Sequence, residues 1–93
     1  YDAAWADVHL GPEQALQAHR DLGGELLVPI HWGTFNLALH AWTEPAERLL
    51  VGARAAGARL ALPRPGESVD GLAPAPPARW WPDTPWKTAA EAP

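Results

Sequence analysis

Leu26-Leu27-Val28-Pro29-Ile30-His31-Trp32-Gly33-Thr34-Phe35 is a short apolar run that stops at a histidine, with a glycine two residues later. Its length, its branched residues and the turn signal behind it predict a buried strand over 26–30. A histidine at a strand's end faces the crevice where layered α/β proteins build their sites. Neutral imidazole is the commonest protein ligand for zinc. On residue type and position alone, the plainer account of His31 is a histidine hydrogen-bonded to its own loop. Pro29 offers no N–H, so its nitrogen must face away from a ladder, or the strand must lie at an edge or bulge there.

On either side of this run the chain reads as helix. Gly11-Pro12-Glu13 is a helix start, with Gly11 as cap, Pro12 at the first helical position and Glu13 complementing the positive end. That helix should run to about Leu22, bury Ala15, Leu16, His19 and Leu22, and stop at Gly23-Gly24. Residues 36–42 read as a turn of helix or a structured loop. Thr43-Glu44-Pro45 starts a second helix, with Ala46, Leu49, Leu50, Ala53 and Gly57 inside and Glu47, Arg48 and Arg54 outside. Arg59-Leu60-Ala61-Leu62 is the next strand, ended by Pro63. The order is helix, strand, loop, helix, strand, which indicates α/β layering over residues 1–72. Two helices and two strands cannot cover a sheet on both faces, so the pattern is that of a portion of a larger domain. Residues 73–93 shift to proline and tryptophan. They should form an extended tail, pinned by Trp80, Trp81 and Trp86 and disordered at its end.

The formal net charge of -4 and the scatter of seven Lys and Arg argue against a nucleic-acid partner. The chain has no cysteine, hence no disulfide framework, thiolate metal site or cysteine nucleophile. That is compatible with the cytoplasm. No apolar run approaches the length of a membrane span. Six tryptophans in 93 residues bring more apolar area than one small domain easily covers.

His9, 22 residues before His31, is the second candidate: one helix and one strand separate them, so both can reach one edge of the layer. His19 reads as a core histidine and His40 as a loop histidine without a spacing partner. Trp32 and Phe35 flank His31; Phe35 reads as a packing residue, while Trp32 either walls an apolar pocket or packs. Thr34 offers a hydroxyl beside the site, and Glu67 reads as a structural or surface carboxylate.

His31-Trp32-Gly33-Thr34-Phe35 resembles a late motif of metallo-β-lactamase-fold zinc hydrolases, particularly bacterial relatives of the N-acyl-phosphatidylethanolamine-hydrolysing phospholipase D. Val8-His9-Leu10-Gly11-Pro12-Glu13-Gln14-Ala15, Trp42-Thr43-Glu44-Pro45 and Leu62-Pro63-Arg64-Pro65-Gly66-Glu67 extend the resemblance over roughly residues 1–70. It implies the C-terminal portion of an αββα sandwich, with His31 a metal ligand and His9 near the substrate phosphate. Trp32 then belongs to the substrate wall. It implies two zinc ions in the complete protein, which would lower the pKa of a bridging water for attack on a phosphodiester.

The family's His-x-His-x-Asp-His run, its further histidine and its bridging aspartate have no counterpart here. Asp2, Asp7, Asp21, Asp70 and Asp83 match none of those positions. No catalytic residue is therefore assigned, and the chain by itself is expected to be inactive. The implied partners are an N-terminal part of the same protein and a phospholipid or other phosphodiester. Peripheral membrane contact and oligomers are admitted, with a cytoplasmic or membrane-associated location. A lactonase or other hydrolase of the same fold is the alternative within the resemblance. Outside it stands a non-catalytic, tryptophan-rich interaction module.

Overall fold

The computed structural model describes residues 1–91. Helix α1 spans Pro12–Asp21. The extended Gly11 precedes it, its N–H donating to Gln14 Oε1 at 2.8 Å. Pro12 takes the position where a missing N–H costs nothing. Leu22 N–H returns to Ala18 O at 3.0 Å, and Gly23 at φ 67 turns the chain out of the helix. Helix α2 spans Glu44–Ala56 and ends at Gly57, also at φ 67, after which Ala58 N–H donates to Ala53 O at 2.9 Å. Thr43 precedes α2 without capping it. Its buried hydroxyl instead meets Thr84 Oγ1 of the tail at 2.9 Å.

The two helices pack through Leu16, Leu49 and Ala53, and the core continues through Leu60 and Leu62 to Trp81. Gly52 permits the approach: a Cβ there would sit 3.0 Å from Leu16 Cδ2. Leu22, expected on the inner stripe, is 86% exposed, because α1 ends at Asp21 and leaves it outside the last turn.

The expectation that Glu47 and Arg48 point outward is corrected by what covers them. Arg48 donates from Nε to Glu13 Oε2 at 2.9 Å and from Nη2 to Glu13 Oε1, tying α2 to α1. Its guanidinium also lies 5.2 Å from the Tyr1 ring centroid, a cation–π distance. Glu47 is 7% exposed. It accepts from Arg79 Nε at 2.9 Å, from Arg79 Nη2 at 3.0 Å and from Trp81 Nε1 at 2.9 Å. Glu44 is buried as well, accepting from Tyr1 Oη at 2.5 Å and from Lys87 N–H at 3.0 Å. Both carboxylates lie in the first turn of α2, where the helix end favours negative charge. A buried carboxylate is tolerated when its oxygens are satisfied, as these are.

The expected strands 26–30 and 59–62 reduce, among the described residues, to one parallel bridge between Leu27 and Leu60. Leu27 N–H donates to Arg59 O at 3.0 Å, and Ala61 N–H to Leu27 O at 2.9 Å. The next rung of a parallel ladder needs N–H donors from residues 29 and 63. Both are proline, so the ladder stops after one residue.

The tail crosses this end of the core as extended chain. Trp81 is buried and Trp80 packs on the core, its Nε1 donating to Leu62 O at 2.9 Å. Residues 88–91 close a turn, with Glu91 N–H on Thr88 O at 3.1 Å. The disorder expected at the chain's end falls partly on residues 92 and 93, which lie outside the described residues.

Candidate functional site

Two irregular segments carry the candidate histidines. The first begins with a 3-10 turn, Ala3–Trp5, capped by Asp2, whose Oδ1 accepts from Ala4 N–H at 2.9 Å. Val8 and His9 N–H groups both return to Trp5 O at 2.9 Å, which sets His9 just ahead of α1. The second follows Pro29. His31 has φ 66 and Gly33 has φ 71, so the backbone enters the left-handed region twice within three residues. Glycine does this freely. Histidine is one of the few other residues enriched there, at a cost of order 1–3 kcal/mol that surrounding contacts must offset.

These loops bring the rings of His9 and His31 face to face, centroids 5.3 Å apart and planes 22° apart. His9 Nδ1 lies 3.1 Å from Leu10 O. A carbonyl only accepts, so Nδ1 carries the proton and Nε2 is left for a ligand.

Both histidines line a cavity of about 570 Å³. That is within the usual range for small-molecule sites. Its wall runs from the 3-10 turn and the start of α1, through residues 29–38, to Trp42, Pro45 and Leu49. Leu10, Ile30, Phe35 and Leu37 line it and are more than half exposed, so its rim is apolar. Tyr1 and His40 form another part of the wall, stacked with centroids 4.0 Å apart. Burial, and then the Glu44 carboxylate that its hydroxyl donates to, push the Tyr1 phenol well above its ordinary value. Tyr1 is thereby held as a donor.

Trp32 lines the cavity and also packs on the tail: its ring lies 5.4 Å from Trp80 and 5.3 Å from Trp81. Phe35 is 75% exposed and does not pack as a core residue. Thr34 lines the cavity and is exposed. His19 is half-buried on α1 against Gly24, where a Cβ would lie 2.5 Å from its Nδ1. His40 is a loop residue with Nδ1 2.8 Å from Ala41 O. Glu67 is exposed in the turn its N–H closes with Arg64 O at 2.9 Å. Sequence reasoning overlooked the Tyr1–His40 wall and the buried Glu44 and Glu47. No periodicity marks these, because each is defined by a partner far along the chain.

His9 and His31 supply at most two nitrogen donors. Among the described residues, no three His, Asp or Glu side chains come together as a metal-holding group. A catalytic zinc needs three protein ligands and an open position, so these residues alone do not hold such an ion. No helix among the described residues is long and apolar enough to cross a membrane.

No protein-family model and no solved structure matches the chain. Among curated proteins, an uncharacterized protein of Mycobacterium tuberculosis is 48% identical over 84 residues, 87% of this chain and 23% of that protein. An uncharacterized protein of Mycobacterium bovis matches to the same extent. A UPF0173 metal-dependent hydrolase of Methanoculleus marisnigri is 39% identical over 61 residues, 66% of this chain and 26% of that protein. The chain thus spans about a quarter of the length of these relatives, and it is loosely related in sequence to a metal-dependent hydrolase.

Proposed function

We propose that this chain forms one edge of the active site of a metal-dependent hydrolase, as the C-terminal portion of a metallo-β-lactamase-type αββα sandwich. The observation that carries the reading is the pairing of His9 and His31, 5.3 Å apart on a cavity with an apolar rim. The alternation of helix and extended chain around a parallel bridge supports it, as does the relation to a metal-dependent hydrolase.

On this reading His31 presents an exposed imidazole as one metal donor. The remaining donors to a pair of zinc ions come from an N-terminal part of the protein. His9 orients the substrate. With Nδ1 given to Leu10 O, it donates to a phosphoryl oxygen only when the ring is protonated at both nitrogens. The substrate is a phosphodiester with an apolar portion, of the N-acyl-phosphatidylethanolamine type. The cavity and its rim of Leu10, Ile30, Phe35 and Leu37 offer apolar surface for an acyl chain. Val8 and Leu39, 83% and 94% exposed, are further apolar surface for the N-terminal part or a lipid surface to cover. The rival tryptophan-rich module has less support, because Trp32, Trp80 and Trp81 spend their faces on one another.

The test is turnover by the longer protein that this reading requires, offered an N-acyl-phosphatidylethanolamine, a simple aryl phosphodiester and a lactone. Phosphodiester hydrolysis should fall about 100-fold in His9→Ala, the scale for loss of one aimed donor. Hydrolysis of the lactone alone, or a His9→Ala variant as active as its parent, would overturn the assignment.

A further inference from the structure

We propose that tail residues 79–81 are a strap that positions the His31 loop, acting through Trp32. His31 is exposed and its backbone is left-handed, so its conformation must be imposed from nearby. The residue that follows it is the loop's anchor. Trp32 is half-buried and lies against Trp80 with ring planes 37° apart and against Trp81 edge-on at 89°. Trp80 also backs Gly33, where a Cβ would lie 3.7 Å from Trp80 Cη2. The two backbone reversals at 31 and 33 therefore flank one tryptophan whose seat is made by the tail.

That seat is fixed to the body at two points of different chemistry. Trp80 Nε1 donates to the backbone of Leu62. Trp81 Nε1 and the Arg79 fork converge on the Glu47 carboxylate. Trp80 and Trp81 brace each other edge-on, centroids 5.6 Å apart. Three indoles in mutual contact resist rotation of any one of them, since edge-to-face pairs have preferred geometries. Arg79, Trp80, Trp81 and Glu47 are positioning residues for His31. None of the four lines the cavity; Trp80 and Trp81 act on it through Trp32. The functional weight of the strap rests on the reading of His31 as a site residue; its geometry does not.

The experiment uses the 93-residue chain and NMR, reading the contact between the His9 and His31 rings and amide exchange at Gly33 and Thr34. Arg79→Ala removes a side chain that is 58% exposed and spares the core. Trp80→Ala removes the seat, and Trp80→Phe restores an aromatic one. Trp80→Ala should lose the His9–His31 ring contact and exchange Gly33 and Thr34 amides about tenfold faster, as local opening does. Arg79→Ala, which frees one exposed side of the strap, should weaken the contact and speed exchange by up to about fivefold. The Leu16–Leu49 contact and helical circular dichroism should persist, and Trp80→Phe should recover most of the ring contact. Retention of that contact in both alanine variants would overturn the strap. So would its loss only together with the helices, which would leave the tail a general structural element. No turnover or metal is read, so the strap can fail while the hydrolase assignment stands, and the converse.

Discussion

Replacing Glu47 by glutamine tests how the tail is held. The carboxylate is 7% exposed and takes three hydrogen bonds, two from Arg79 and one from Trp81. Glutamine keeps the shape and one acceptor oxygen, but its NH₂ then faces a donor. Hydrogen bonds to charged groups contribute about 1.5–3 kcal/mol each when desolvated. The Arg79 side chain is 58% exposed, so its share falls toward the range of about 0–1 kcal/mol seen for surface pairs. The expected loss is about 1–2 kcal/mol. At about 4–8 °C per kcal/mol for a chain of this size, Tm should fall by about 4–16 °C at neutral pH. The Arg79 fork, and after it the Trp81 N–H, hold the Glu47 carboxyl below its ordinary value against the opposing effect of burial. Its stabilisation is therefore complete above the unfolded carboxylate value of about 4.3. It is lost as pH falls through the lower folded value. The melts of parent and Glu47→Gln, followed by tryptophan fluorescence, should converge there. A neutral-pH shift under about 2 °C, on the same scale, or a gap that persists unchanged in acid, would refute the reasoning.

Gly24→Ala should displace the His19 ring, since a Cβ there would sit 2.5 Å from its Nδ1. Driving the half-buried ring off its rotamer costs about 0.5–1.5 kcal/mol, readable from the urea midpoint. Leu16→Ala should cost about 2–5 kcal/mol, while Leu22→Ala, at an 86% exposed site, should stay within about 0.5 kcal/mol. Equal effects in the same titration would contradict the α1–α2 interface. The 93-residue chain alone should bind zinc more weakly than micromolar and turn over no phosphodiester, because among the described residues no three metal-binding side chains come together and a catalytic zinc needs three protein ligands. Calorimetry showing stoichiometric, tighter binding by a monomer would contradict the donor assignment.

The helices were legible because their signals are local. Gly11-Pro12 and Glu44-Pro45 start them, and Gly23 and Gly57 adopt the left-handed turns that end them. The bridge between the extended segments was harder to foresee. Pro29 and Pro63 are each visible in the sequence, but only the register shows that they fall on one rung and end the ladder together. Helical periodicity places Glu47 off the stripe formed by Ala46, Leu49 and Ala53. It carries no word of a tail that returns over 30 residues later to cover that face. The spacing of His9 and His31 suggested a shared edge, and the rings do meet. Trp32 was read either as pocket wall or as packing. The ring packs against Trp80 and Trp81, and the residue also lines the cavity.

The central claim is that this chain lends His31 to a metal site completed by an N-terminal part of the protein. Metal content of that longer protein, measured by mass spectrometry for the parent, His31→Ala and His9→Ala, tests it most directly. His31→Ala should lose bound metal and activity together, while His9→Ala should keep its metal and lose turnover. A His31→Ala protein that retains the parent's metal stoichiometry and activity would contradict the claim.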